Sequence, residues 1–367
     1  MKNTFGNSVS ITLFGESHGA QIGAVLDGLA PGIPVEEARI AAMLSRRRPA
    51  GAISTGRVEP DHFQIVSGVF EGRTTGTPVC ILIPNENTRS RDYAQTRALA
   101  RPGHADYTAW CKYHGFEDYR GGGHFSGRLT APLVAAGAIA MGALEAGGIR
   151  IGTHIARCAG IDDRGFEDPE QDIRALKDTA FAVLDPEAAG RMRAAVEEAA
   201  AEGDSVGGIL ETVVTGLPAG VGEPWFDSLE SVLAHALFSI PAVKGVEFGD
   251  GFALADQRGS RANDSFAMQG GKIITRTNHN GGINGGISNG MPILVRCAVK
   301  PTPSIYREQE TVNFLQREEQ NIVIKGRHDP AIVHRAAVVA DAVTALVLCD
   351  MLAQRYGTDW PGAEQGL

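Results

Sequence analysis

The sequence predicts an α+β fold in a single domain. Strand-like and helical patterns are intermixed, without the strand–helix–strand rhythm of a doubly wound parallel sheet. No linker, long repeat or shift in composition divides the 367 residues. That length buries a sizeable core and alone allows about one to three domains. At 43% hydrophobic and 21% charged, the composition is that of a globular protein.

Val9, Ile11 and Leu13 alternate with Ser10 and Thr12, the period of a half-buried strand. That strand runs into Gly15-Glu16-Ser17-His18-Gly19, so polar groups sit at its end. Residues 22–26 read as a second strand. Pro34 is taken as a first helical residue, and the helical pattern of 35–45 closes in Arg46-Arg47-Arg48-Pro49. Strands follow near 63–69 and 79–83. Residues 85–127, dense in Arg, His, Gly and Asp, carry no clear element, and a connection that long is usually functional.

An apolar, buried helix follows at 131–145. Asp185 and Pro186 cap a helix that ends before Gly203, and 209–215 is strand-like. Asp227 with Glu230 makes a capping-box-like start for the stripe Leu229, Val232, Leu233, Ala236 and Leu237, which Pro241 ends. The glycine-rich run 280–286 precedes a strand at 293–299. The last helix takes Asp329 as N-cap and Pro330 as first residue, and continues to about Leu352.

The 46 glycines and 18 prolines are spread along the chain, which predicts tight turns and glycine-lined sites, not a disordered tract. A net charge of −9 argues against nucleic acid or an anionic membrane as the main partner. Five scattered cysteines, odd in number and without a metal-like pair, fit reduced cytosolic thiols. There is no charged-then-apolar leader, and the longest apolar stretch, 129–144, reads as too short and too rich in Ala and Gly to span a bilayer. A soluble cytoplasmic protein is expected.

Several segments carry candidate chemistry. Ser17-His18 lies between glycines at a strand end, where a histidine that titrates near neutrality can move protons or simply bond to the turn. Arg46-Arg47-Arg48 suits a helix C-terminus, yet three in a row exceed what a cap needs, and guanidinium forks match carboxylate and phosphate. In the stretch Arg101-Pro102-Gly103-His104-Ala105-Asp106-Tyr107, Asp106 either orients His104 as an acid or makes a loop ion pair; spacing does not decide. The run Arg120-Gly121-Gly122-Gly123-His124-Phe125-Ser126-Gly127-Arg128 spends folding entropy on three glycines, as where backbone amides face a ligand. It leads into a helix start whose free N–H groups suit an anion. The last two are Lys300-Pro301-Thr302-Pro303-Ser304 and Gly326-Arg327-His328-Asp329-Pro330, where a capping Asp329 can also face a ligand. No zinc-ligand spacing, Walker motif or nucleophile elbow is present. The residues alone describe an enzyme with an anion site of Arg and His drawn from distant segments.

Taken in order, Phe14-Gly15-Glu16-Ser17-His18-Gly19, the Arg-Arg-Arg-Pro turn, Arg-Pro-Gly-His-Ala-Asp-Tyr-Thr, Asp-Tyr-Arg-Gly-Gly-Gly, Ser239-Ile240-Pro241-Ala242-Val243-Lys244-Gly245, Lys-Pro-Thr and Gly-Arg-His-Asp-Pro resemble the chorismate synthase family. The resemblance runs from about residue 4 to 353 and leaves 354–367 as a flexible tail. It implies a sandwich with long central helices between antiparallel sheets, and a homotetramer. It also implies conversion of 5-enolpyruvylshikimate 3-phosphate to chorismate and phosphate, with reduced FMN required but not consumed.

On the same resemblance, His18 protonates the reduced flavin near N1, His104 assists phosphate departure, and Asp329 with Ser17 relays the proton taken up at flavin N5. Flavin contacts carry over to His124, Phe125, Ser126, Pro241, Ala242, Gly285, Lys300, Pro301, Thr302, Pro303, Ser304 and Arg327. Arg47, Arg128 and Arg327 are assigned to substrate anions or the flavin phosphate. Many relatives have Arg-Ser-Ser where this chain has His124-Phe125-Ser126, and a nucleotide-binding arginine where it has Ile53, for which Arg57 is the candidate substitute. The chain is short for relatives that reduce their own flavin, so an external reductant is expected and NADPH acts only indirectly or weakly. The competing readings are an FMN- and NADPH-dependent oxidoreductase and a non-catalytic binder of phosphorylated metabolites.

Overall fold

The computed structural model describes residues 2–49, 51–54, 60–86, 97–177, 179–324, 326 and 328–360. Half of the expected tail, 361–367, lies outside them, as do Arg57 and Arg327.

The period-two segments pair into two five-stranded antiparallel sheets. In the first, the order is β1 (Thr4–Phe5), β2 (Ser10–Gly15), β3 (Gln21–Asp27), β7 (Val79–Pro84) and β4 (Gln64–Ser67). Its register sets Ala24 opposite Ile81 and Ile22 opposite Ile83, and these side chains form one fully buried face. In the second, the order is β11 (Val243–Phe248), β16 (Ile293–Val299), β10 (Gly208–Thr215), β8 (Arg150–Cys158) and β9 (Ile161–Asp162). Ile293, Val295, Cys297 and Val299 alternate inward along β16. Four hairpins stand apart: β5–β6 (Val69–Phe70, Arg73–Thr74), β12–β13 (Phe266–Gln269, Lys272–Thr275), β14–β15 (Ile283–Asn284, Ile287–Ser288) and β17–β18 (Gln309–Asn313, Glu318–Ile322).

Between the sheets lie α3 (Thr130–Ala146) and α8 (Val333–Tyr356), with α1 (Glu37–Arg47) packed against both. α3 packs on β3 and β7, and α8 on β8 and β10. Both are apolar on nearly every side, as helices covered all round must be. Their approach is close: a Cβ on Gly137 would fall 2.3 Å from the Cβ of Ala342. By length and composition Gly127–Ala146 and Val333–Tyr356 could each cross a membrane, but 83% and 100% of their apolar windows are buried within the fold. The stretch read as too short for a span thus belongs to a longer helix, and what it crosses is the protein core. Two buried carboxylates on α8 find partners there: Asp341 Oδ2 pairs with Arg46 at 3.2 Å while its Oδ1 has no hydrogen bond among the described residues, and Asp350 accepts the backbone N–H groups of Asn7, Ser8 and Val9.

Around this sandwich sit α2 (Asp106–Tyr113), α4 (Pro169–Leu176), α5 (Pro186–Ala201), α6 (Leu229–Leu237) and the single turn α7 (Gly259–Ala262). Three expected helix starts move. Pro34 bridges to Arg73 in extended conformation, so α1 begins at Glu37. Asp227 lies in a short 3-10 turn, and Ser228 caps α6 by accepting from the N–H of Ser231. Asp329 and Pro330 precede α8, whose N-cap is Ile332. The strand expected at 63–69 is interrupted by Gly68 at φ 82°. Helix α2 falls inside the stretch read as irregular.

Candidate functional site

Segments far apart in sequence close around one cavity of about 800 Å³. Its walls combine the end of α1, the 101–106 turn, Gly121, Gly122 and the start of α3, residues 238–244, Lys300, Thr302 and Pro303, and the approach to α8.

Strand β2 ends at Gly15, and the chain turns so that the Ser17 N–H donates to the Gly123 carbonyl at 3.1 Å. Ser17 Oγ is within donating distance of the carbonyls of Arg120 (3.2 Å) and Gly121 (3.1 Å), and 3.2 Å from His18 Nδ1. The three glycines have φ of 59°, 84° and 53°, the left-handed region that side chains resist. A Cβ on Gly121 would lie 2.1 Å from His18 Cε1, and one on Gly123 would lie 2.1 Å from the Asp118 carbonyl oxygen. Contact with His18 and with the chain's own backbone therefore requires glycine at 121 and 123, beyond any amides turned to a ligand.

His104 sits in the turn before α2, with Nε2 2.7 Å from the Ser304 hydroxyl. Asp106 does not orient it. That carboxylate accepts from Nε, Nη2 and the backbone N–H of Arg101 instead. Lys300 Nζ donates to the Gly103 carbonyl at 2.7 Å, bracing the same turn. Burial first, then the Arg101 guanidinium, pushes His104 down to about 4, so it is uncharged near neutral pH. Burial also lowers His328.

Arg47 and Arg128 both line the cavity, and both bond to Asp61, a residue the sequence reading did not single out. Arg128 is further held by Asn85 Oδ1 and the Pro84 carbonyl. Asp329 also lines the cavity and accepts from Arg335, whose Nε donates to the Arg47 carbonyl at 2.8 Å. Arg335 was likewise missed. It had a signal: a cation in a helix's first turn opposes the dipole and calls for a nearby anion. Asp61 offers no comparable local signal.

The expected flavin contacts divide. His124, Phe125, Ser126, Pro241, Ala242, Lys300, Thr302 and Pro303 line the cavity. His124 Nδ1 also meets the Gly15 carbonyl at 2.8 Å, Phe125 meets Tyr113 edge-on, and Ser126 Oγ accepts the Arg128 N–H. Ala242 holds φ 74°, a strained value at the cavity wall. Three are not among the lining residues. Gly285 is at the tip of β14–β15, Pro301 is close to Gly207, and Ser304 is turned to His104. Ile53 is 3% exposed in the core, so that position offers no side chain for a nucleotide.

Apolar walls from Leu133, Ile240, Val243 and Val339 beside several arginines and Lys300 suit a flat ring carrying anionic groups. The volume lies in the upper part of the ~300–1,000 Å³ range of small-molecule sites.

The sequence profile of a family described as chorismate synthase matches residues 9–353. A chorismate synthase of Aeropyrum pernix is 47% identical over 355 residues, 96% of this chain and 93% of that protein. One of Methanosarcina mazei is 49% identical over 349 residues, 95% of each. A crystal structure of chorismate synthase superposes with a TM-score of 0.77 at 28% identity, covering 98% of both chains. On this combination of fold, converging motifs and full-length similarity, the chain belongs to the chorismate synthase family, flavin-using lyases of the shikimate pathway.

Proposed function

We propose that this chain converts 5-enolpyruvylshikimate 3-phosphate to chorismate and phosphate, with reduced FMN bound in the described cavity and no net redox change. The observation that carries the reading is the meeting of Arg47, Arg101, Arg128, Lys300 and His104 on one cavity. The substrate has two carboxylates and a phosphate, and the three arginines and the lysine answer those charges despite the net charge of −9.

Reduced FMN, when bound, supplies electron density transiently, which suits an elimination that neither oxidises nor reduces its substrate overall. The chain's own groups do the rest. Arg47 and Arg128 hold substrate or cofactor anions. His104 is uncharged near neutrality; a phosphate beside it favours the protonated form, so it can give a proton as the leaving group gathers charge. Ser17 and His18 are not among the cavity-lining residues, but the Gly121 they touch is, and from behind it His18 holds a proton toward N1 of the cofactor. Asp329 with Ser17 carries away the ring proton. His124, Phe125, Ser126, Pro241, Ala242, Thr302 and Pro303 form the cofactor's bed, and Arg327 adds a further cation.

One continuous cluster of buried apolar residues joins both sheets and the central helices, which supports a single domain. The working protein is a cytoplasmic homotetramer supplied with reduced flavin from outside, NADPH acting at most through that supply. The test is an anaerobic assay of purified protein with chemically reduced FMN and the ester, with and without added NADPH, measuring chorismate, phosphate and NADPH. Equal amounts of chorismate and phosphate, with no NADPH oxidised, support the reading; ester bound without phosphate release, or net NADPH oxidation, sinks it.

A further inference from the structure

Asp61 is the most deeply buried charged group beside the cavity that the proposed chemistry leaves unused. Its side chain is 0% exposed and its backbone is left-handed at φ 50°. One carboxylate oxygen accepts from Arg47 Nη2 at 2.7 Å, and the other accepts from Arg128 Nη1. Arg48 Nε stands 3.9 Å away, while its Nη2 donates to the carbonyl of neighbouring Pro60. Arg47 ends α1 and Arg128 precedes α3, so a single carboxylate joins cations from two elements.

Two guanidiniums this close repel one another, and each has several rotamers by which to separate. A carboxylate shared between them offsets the repulsion and fixes both forks. We propose that Asp61 is a positioning residue of the anion site, holding Arg47 and Arg128 side by side for a phosphate or carboxylate of the ligand. This rests on the anion-binding part of the proposed function. The rival role, a built-in anion that competes with the ligand for the two arginines, makes the opposite prediction. Removing a competitor tightens anion binding; removing a positioning group weakens it.

The experiment titrates the full chain with inorganic phosphate by calorimetry, and separately measures KM and kcat for the ester with reduced FMN. Asp61→Asn keeps the shape and deletes the charge. Phosphate affinity should fall by about tenfold, with KM rising by a similar factor and kcat changing far less, because the arginines hold the anion in the ground state too. Unchanged or tighter phosphate binding overturns the role. Where Asp61→Asn does not fold, Asp61→Glu serves. Its longer stem displaces the carboxylate from the point where it meets both arginines, so weaker binding is again expected and unchanged binding overturns it. Should the unaltered chain bind no phosphate, the anion site and the Asp61 role fall together. Should it bind phosphate but make no chorismate, only the reaction assignment falls.

Discussion

The contact between Gly121 and His18 makes a sharp prediction because the neighbouring glycine supplies a control. Alanine at 121 must adopt φ near 59°, which costs a non-glycine residue about 1–2 kcal/mol. Its Cβ would also stand 2.1 Å from His18 Cε1, 2.3 Å from Nδ1 and 3.1 Å from Ser17 Oγ. Carbon atoms rest at about 3.5 Å, so the imidazole has to move by more than an ångström. Displacement on that scale costs on the order of 10²-fold in turnover when the displaced group takes part in the chemistry. Gly122 has φ 84°, but its nearest neighbour for a new Cβ is Ser126 Cβ at 3.9 Å. Gly122→Ala therefore has a similar backbone cost and no clash. Both variants should lose similar stability in denaturant titrations, while kcat in the anaerobic assay drops on the order of 10²-fold further in Gly121→Ala. Equal turnover in the two variants would refute the role of His18.

Replacing His104 by Ala should lower turnover by about 10²–10⁴-fold, and Ser304→Ala, which only frees the ring, by about tenfold. Burial holds His104 and His334 each near 4 against an ordinary value of 6.5, so the unfolded chain binds protons in that interval that the folded chain does not. Stability is then full above about pH 6.5 and is lost as pH falls toward 4, by at most about 3 kcal/mol for His334 and less for half-buried His104. Urea midpoints across that range should show the slope, and His334→Gln should flatten it; an identical slope in the variant refutes the assignment. Asp350→Asn, which sets an amide against three backbone donors, should cost about 3 kcal/mol in chemical denaturation. Its folded fraction should retain kcat.

Elements whose signal is internal were legible in the sequence. The alternation at 293–299 became β16 with the same bounds, and the apolar run at 131–145 became α3 with one residue more at each end. Helix starts were less legible, because a cap signature is local while its residues can find stronger partners elsewhere. Pro34 was drawn into a bridge with Arg73, and Asp329 into an ion pair with Arg335. Helix α4 shows the reverse: Asp168-Pro169 has the signature that placed α5, and Asp168 does cap it, yet the short stripe behind it was passed over.

The site divides along the same physical line. A motif states which chemical groups are available, and on that basis the arginine, histidine and glycine segments were recognisable before their convergence was visible. Which anion each cation holds is decided by burial and distance across the fold. Read locally, Arg47 is a cation at a helix C-terminus and Asp106 is a partner for His104 two residues away. In the fold, Arg47 is 2% exposed, a depth at which the weak pull of a helix end cannot replace lost hydration and a paired carboxylate is required. Asp61 meets that need from 14 residues downstream and meets the same need for Arg128 from 67 residues upstream. Asp106 chooses Arg101 because a bidentate guanidinium is a stronger partner than a buried, uncharged imidazole. That choice leaves His104 hydrogen-bonded to Ser304 and reached by Asp106 only through space, so its protonation state can answer to the charge of whatever lies in the cavity.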